Sequence, residues 1–130
     1  MASKNSIAPW LSVRKSAQAV EFYKLAFGAE EVYRLEAGGG VVARLSVDGA
    51  EFWLSDESPG HGNFSPETLS GSSVRIILTV ADPDAVFAQA LNAGATEVYP
   101  VTEGHGWRVG RVKDPYGHHW EIGRPLTDKP

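Results

Sequence analysis

The chain has 130 residues, of which 42% are hydrophobic and 22% charged, and its formal net charge is -4. This length suits one domain, so we expect residues 1–130 to form a single domain. No apolar run could cross a bilayer and the first residues lack the apolar core of a secretory signal, so we expect a cytoplasmic protein with no membrane partner. The absence of cysteine excludes disulfides and thiolate chemistry, and the lack of a basic cluster argues against a nucleic-acid partner.

The first half of the chain predicts the order strand, helix, strand, strand, strand. Helical spacing of apolar side chains predicts one helix, with Ser16 as its N-cap and Gly28 at its end. Gly38-Gly39-Gly40 and Asp48-Gly49 are turn sequences that join neighbouring strands as hairpins. The predicted strands cover residues 7–13, 31–35, 41–47 and 50–55.

The second half repeats this order after a polar connector, residues 56–72, that is rich in Gly, Ser and Pro. Asp82 and Pro83 predict the N-cap and first position of a second helix, and Gly94 predicts its end. The predicted strands of this half cover residues 74–80, 97–101, 107–112 and 118–122.

An internal repeat relates the two halves. Residues 28–33 match residues 94–99 at five of six positions. If the alignment continues without a gap, three further pairs are identical: Gly38 and Gly104, Gly40 and Gly106, and Asp48 and Asp114. This agreement exceeds chance, and it indicates duplication of one βαβββ module.

The duplication predicts an α+β fold of two tandem βαβββ modules, module one over residues 7–55 and module two over residues 73–124. Each module would cover one face of its sheet with its helix and leave the other face to build a cleft. Concave clefts with a few polar groups are the usual sites for small molecules, so we expect a small-molecule partner.

Three stretches of the chain carry a resemblance to a known superfamily. They are Ala19-Val20-Glu21-Phe22-Tyr23 with Ala26-Phe27-Gly28-Ala29, Asp82 with Ala90 to Ala95, and Lys113-Asp114-Pro115-Tyr116-Gly117-His118-His119-Trp120-Glu121-Ile122. They resemble the vicinal oxygen chelate superfamily of glyoxalases, extradiol dioxygenases, fosfomycin-resistance transferases and bleomycin-resistance proteins. The closing stretch, with Gly106-Trp107 before it, is most similar to the PhnB-like branch. The resemblance implies a curved mixed-sheet cleft and a homodimer, in which the partner often completes the cleft.

Metal-dependent members of that superfamily place one ligand on the first and fourth strands of each module. The resemblance puts these positions at Ala8, at or near Trp53, at Arg75 and at Glu121, so only Glu121 keeps a metal-binding side chain. One carboxylate beside a guanidinium that stays charged is a poor divalent site. We therefore expect no metal cofactor. An alternative stays open in which His119, on the strand face of Glu121, helps to rebuild a divalent-metal site.

The register of the superfamily implies that Trp10, Trp53, Arg75, His119 and Glu121 line one cavity. We expect Arg75 and Glu121 to pair, because burying either charge alone is costly. An aromatic wall beside a guanidinium suits a planar or anionic organic ligand. The alternatives are that both tryptophans are core residues and that the ion pair is purely structural.

The remaining polar residues predict no chemistry of their own. We expect Asp114 to form a turn with Pro115 and Gly117, and His118 to pack beside Trp120 at a sheet surface. The chain has neither a Gly-x-Ser-x-Gly nucleophile elbow nor a phosphate-binding Gly-x-x-x-x-Gly-Lys loop.

The leading hypothesis is therefore a metal-free protein that binds and sequesters a small organic ligand. Arg75 would face an anionic group, Glu121 would hold Arg75, and Trp10 and Trp53 would stack on the ligand. Two alternatives remain: a divalent-metal-dependent lyase or dioxygenase acting on vicinal oxygens, and a catalytically inert interaction module whose cleft is filled by its own side chains.

Overall fold

A computed structural model describes residues 4–126 of the chain; the first three and last four residues of the expected 1–130 domain lie outside it. Module one contains β1 (Trp10–Val13), α1 (Ser16–Phe27), β2 (Glu30–Ala37), β3 (Gly40–Val47) and β4 (Ala50–Asp56). The connector contains a 3-10 turn (Pro59–His61) and α2 (Pro66–Leu69). Module two contains β5 (Arg75–Thr79), α3 (Pro83–Ala93), β6 (Thr96–Gly104), β7 (Trp107–Lys113) and β8 (His119–Pro125). Among residues 4–126, no helix is both long and apolar enough to cross a membrane.

The two modules have the same topology, which confirms the predicted tandem βαβββ plan. Each forms a four-stranded mixed sheet, in the orders β1-β4-β3-β2 and β5-β8-β7-β6. In each sheet the first strand pairs in parallel with the fourth, and the other neighbours are antiparallel. The first strand is shorter than predicted and begins after Pro9, whose nitrogen has no hydrogen to donate to a ladder.

The first helix begins one residue earlier than predicted. Ser16 is its first residue rather than its N-cap, and Lys15 occupies the cap position without a side-chain hydrogen bond. A distant carboxylate replaces the local cap: Asp56 Oδ1 accepts the Ser16 amide at 2.9 Å. Gly28 ends the helix as predicted, with a φ of 70° that is unfavourable for residues with a Cβ.

The second helix matches its sequence signals at both ends. Asp82 Oδ1 accepts the Ala85 amide at 3.2 Å, Pro83 occupies the first turn, and Gly94 caps the end. These contacts are local in sequence, which explains why the residue types alone predicted them.

A β-bulge in module two shows that the repeat cannot be aligned without a gap. Tyr33 pairs with Arg44 in module one and Tyr99 pairs with Arg111 in module two, so this part of the repeat holds. Between Tyr99 and Thr102 the pairing shifts, and β6 has 9 residues where β2 has 8. Beyond the bulge, the equivalent positions of the two modules are offset by one further residue. The three identical pairs found there, Gly38 and Gly104, Gly40 and Gly106, and Asp48 and Asp114, are therefore not structurally equivalent.

The hydrophobic core lies on the helix-covered faces of both sheets and crosses between the modules. Trp120 of β8 is 1% exposed, and its ring lies 4.7 Å from that of Phe27, 5.3 Å from Phe52 and 5.5 Å from Tyr23, centroid to centroid. Side chains of module one therefore bury a residue of module two. This packing leaves the opposite face of each sheet to carry the candidate site.

Candidate functional site

The five predicted site residues lie on the open faces of the two sheets. Strand alternation and register place them there: Trp10 is paired with Trp53, Arg75 with His119, and Ile77 with Glu121. The predicted sharing of one face by His119 and Glu121 therefore holds. Trp10 and Trp53 belong to the sheet of module one, whereas Arg75, His119 and Glu121 belong to the sheet of module two.

The tryptophans form an exposed stack. The rings of Trp10 and Trp53 lie 5.3 Å apart with an interplanar angle of 7°. Trp10 is 54% exposed, and its indole Nε1 donates to Ser55 Oγ at 2.9 Å. The Arg44 guanidinium lies 5.3 Å from the Trp53 ring centroid. Because β4 lies between β1 and β3, Trp53 is held between Trp10 and Arg44, and Trp10 presents the exposed ring.

The open face of module two carries a charged cluster around Glu121. Arg75 Nε lies 2.8 Å from Glu121 Oε2, which agrees with the predicted pair. Arg111 Nη2 donates to the same oxygen at 2.8 Å, and its guanidinium lies 5.0 Å from the Tyr99 ring centroid. The cluster thus contains two guanidinium groups and one carboxylate. The exposed fraction of the side chain is 56% for Arg75 and 20% for Arg111.

Two buried donor or acceptor atoms in this cluster are unsatisfied. Arg111 Nε and His119 Nδ1 have no hydrogen-bond partner among residues 4–126. Burial lowers the pKa of His119, and the positive charges of Arg111 and Lys113 lower it further. These effects favour the neutral imidazole at physiological pH. Unpaired buried polar atoms are costly in a folded protein, so they mark this cluster as incomplete.

Two neighbouring cavities lie beside the aromatic and charged groups. One of about 370 Å³ lies between the modules and is lined largely by apolar side chains, including Trp10, Phe64, Leu69 and Ile76. A smaller one of about 120 Å³ is lined by Ser72, Ser73, Val74, Arg75, Arg111 and His119. Residues 72–74 line both cavities. Trp53 and Glu121 line neither of these cavities. Within one chain, the five predicted residues therefore lie in two neighbouring groups, one with Trp10 and Trp53 and the other with Arg75, His119 and Glu121.

Arg111 and Tyr99 were not recognised from the sequence as site residues. A signal for them was present, because Tyr33 and Tyr99 are matching positions of the repeat. Each tyrosine lies opposite an arginine of the adjacent strand, Arg44 in one module and Arg111 in the other. Finding this from sequence needs the hairpin register, and the bulge in β6 conceals that register.

Asp114 and His118 connect the modules behind the site. Asp114 forms the predicted turn, but it is 2% exposed and its carboxylate accepts hydrogen bonds from the Tyr23 hydroxyl and from Trp120 Nε1. The expectation that His118 packs beside Trp120 is incomplete, because His118 Nε2 lies 2.9 Å from the Ser12 carbonyl oxygen, across the module boundary.

The residues at the superfamily's metal-ligand positions do not fit a divalent cation within one chain. Glu121 is the single carboxylate, and two guanidinium groups contact its Oε2. Among residues 4–126, no group of three or more His, Cys, Asp or Glu lies close enough together to hold a metal ion. Catalytic zinc sites usually supply three such ligands.

Comparisons with known proteins agree with this architecture. A family model described as a glyoxalase-like domain matches residues 10–123. An uncharacterised protein of Mycobacterium bovis is 41% identical over 130 residues, covering 95% of this chain and 85% of that protein. The X-ray structure of the Arabidopsis thaliana gene product At5g48480 is 32% identical with a TM-score of 0.69, covering 94% of this chain and 98% of that chain.

More distant solved structures share the fold. TnmS3, an antibiotic binding protein from Streptomyces sp. CB03234, is 22% identical with a TM-score of 0.67, covering 95% of this chain and 99% of that chain. Solved members of the glyoxalase/bleomycin resistance protein/dioxygenase superfamily have the same architecture. With its tandem βαβββ modules and a family match over most of its length, the chain belongs to the glyoxalase-like domain family.

Proposed function

We propose that this protein binds and sequesters a small organic ligand with a flat apolar body and an anionic group, without a metal ion. One observation carries the proposal: an apolar cavity containing Trp10 and a basic cavity containing Arg75 share the wall formed by residues 72–74. A ligand that spans both would stack its body on an indole ring and direct its charge to a guanidinium. Ligand pockets commonly combine an apolar lining with a few polar groups in this way.

The stacking role belongs to Trp10 rather than to both tryptophans. Trp53 already contacts Trp10 on one side and Arg44 on the other, whereas Trp10 is 54% exposed. Glu121 holds Arg75 in place through the 2.8 Å contact. Binding of an antibiotic by TnmS3, which shares the fold, supports a sequestering role. The Asp-Pro-Tyr-Gly-His sequence supports a place in the PhnB-like branch.

We further propose that the protein works as a cytoplasmic homodimer. Both open sheet faces carry exposed apolar side chains, among them Tyr33, Leu35, Ile77 and Tyr99. Exposed apolar patches of this kind often mark protein or ligand contacts. Sedimentation equilibrium tests the oligomeric state, and a monomer at all concentrations contradicts the dimer.

The binding test uses a panel of small aromatic carboxylates and their neutral amides, followed by calorimetric titration and tryptophan fluorescence. Trp10→Ala should weaken each ligand that binds by about 1 kcal/mol, roughly fivefold, through loss of the stacked ring. Arg75→Ala should weaken the binding of the carboxylates and leave the binding of the amides nearly unchanged. Trp107→Phe, at the start of β7, is the matched control for loss of an indole. If Arg75→Ala leaves the binding of each carboxylate unchanged, the assigned role of Arg75 is wrong.

A further inference from the structure

The smaller cavity has the charge of an anion site. Its lining residues include two guanidinium groups and an imidazole, and they include no carboxylate. Glu121 contacts both arginines from beside the cavity, which leaves one positive charge in excess. Near His119, Lys113 contributes positive charge and Asp114 contributes negative charge. A partly buried cluster with unbalanced charge is stabilised by a bound counterion.

The unsatisfied atoms point to hydrogen bonding as well as charge. Arg111 Nε is a donor that is buried without a partner, and His119 Nδ1 is an equally unpartnered ring atom of the same lining. The equivalent arginine of module one, Arg44, also has a buried Nε without a hydrogen bond, but that atom lies 3.5 Å from the carboxylate oxygen Glu51 Oε1. Among the described residues, Arg111 Nε has no such acidic contact. An oxyanion would accept from Arg111 Nε, and from His119 Nδ1 in the tautomer that carries its proton on that nitrogen.

The size of the smaller cavity suits a small anionic group of a ligand. A volume of about 120 Å³ corresponds to roughly four water molecules, taking about 30 Å³ for each. This volume accommodates a carboxylate or a phosphate group. The ring would remain in the cavity of about 370 Å³ beyond the shared wall.

We propose that Arg111, His119 and the Ser72-Ser73 segment, together with Arg75, form an oxyanion pocket that takes the carboxylate or phosphate headgroup of the ligand. The pocket rests on the proposed function for its biological role, because the headgroup belongs to the same ligand. Its affinity for an anion is independent of any aromatic body. Arg111 provides an Nε donor that has no other partner among the described residues, and Arg75 is the more exposed of the two guanidinium groups.

The test titrates ¹⁵N-labelled protein with inorganic phosphate at constant ionic strength and follows the side-chain NMR signals of Arg111 Nε and the His119 ring. We expect saturable shifts of both signals. Arg111→Gln should weaken phosphate binding by about tenfold or more, because it removes a charged hydrogen bond. Arg124→Gln is the matched control: it makes the same charge change on β8, and strand alternation places it on the face opposite Glu121.

Two results overturn the pocket: linear, unsaturable shifts with phosphate, or equal losses of affinity in Arg111→Gln and Arg124→Gln. Arg111→Lys is a control for a folding defect, because it keeps the positive charge. This variant should bind phosphate more weakly than the native protein and more tightly than Arg111→Gln. Titrations with benzoate and benzamide distinguish failure of the oxyanion pocket from failure of the proposed function. Benzamide binding that depends on Trp10, without phosphate binding, supports the aromatic part of the proposed function and rejects the pocket. Phosphate binding without any aromatic ligand rejects the aromatic function and supports the pocket.

Discussion

Asp114 is the residue through which the two modules share a buried polar contact. Its Oδ2 accepts from the Tyr23 hydroxyl and from Trp120 Nε1, and its Oδ1 accepts the Tyr116 and His118 amides at 3.0 and 2.9 Å. Tyr23 belongs to α1 of module one, so this carboxylate connects one module to the turn of the other. Four donors would lose their partner if Asp114 were removed, and unsatisfied buried donors are expensive.

Tyr23 should make stability depend on alkaline pH. Burial raises the pKa of Tyr23, and the nearby negative charge of Asp114 raises it further. In the unfolded chain tyrosine loses its proton near pH 10. The contribution of Tyr23 is therefore complete below about pH 10 and is lost as pH rises through the raised folded pKa, because the unfolded state then holds fewer protons.

Tyr23→Phe should lower the free energy of unfolding at neutral pH by about 1–3 kcal/mol and reduce its decline above about pH 10. Urea titrations at both pH values measure the two effects. Tyr33→Phe, at an exposed tyrosine, is the control and should change neither. An unchanged alkaline decline in Tyr23→Phe would show that another group causes it.

At the scale of elements, α1 begins against two strands rather than at a local cap. Asp56, the last residue of β4, accepts the Ser16 amide, and Ser16 Oγ accepts the Val41 amide at 2.8 Å. Gly40 lies against both side chains: a Cβ built there would be 2.1 Å from Asp56 Oδ2 and 2.7 Å from Ser16 Oγ. The start of the helix thus requires the absence of a side chain at the start of β3.

Gly40→Ala should therefore destabilise the protein by about 1–3 kcal/mol, because the added methyl displaces both polar groups. Thermal and urea unfolding measure the change. Gly104→Ala, at the end of β6 where a Cβ meets open space, is the control and should cost little. Equal stability of the two variants would mean that the Asp56 and Ser16 contacts adjust freely.

Sequence patterns predicted most elements, and the failures have two physical origins, a contact distant in sequence and a β-bulge. Gly28, Asp82, Pro83 and Gly94 act on backbone groups within a few residues, so their types determine the helix ends. The sequence pattern does not reveal the true role of Ser16, because its partner, Asp56, is 40 residues away. The repeat was aligned one residue out beyond Tyr99 because a bulge changes hydrogen bonding without an obvious change in residue type.

At the scale of the whole molecule, we expect no divalent metal to stabilise the protein. Chelator-stripped protein should melt at the same temperature in excess Zn²⁺, Ni²⁺, Co²⁺, Mn²⁺ or Fe²⁺, since two guanidinium groups contact the carboxylate at the superfamily's ligand position. A metal at about 100 times its Kd would add roughly 2.7 kcal/mol and raise Tm by several degrees. A selective rise that disappears in Glu121→Gln would restore the metalloenzyme alternative.

Periodicity and turn residues act on nearby backbone groups, so the residue pattern was enough to predict the tandem βαβββ plan. The pairing of Arg75 with Glu121 and the substitution of the usual metal ligands were expected from the resemblance to the superfamily, whose register places these positions together. The remaining contacts between distant side chains became visible only in three dimensions. The tertiary structure separated Trp10 and Trp53 from the charged cluster, added Arg111 to that cluster, and placed residues 72–74 in the linings of both neighbouring cavities. These contacts depend on strand register and on the packing of one module against the other, and no local pattern encodes either.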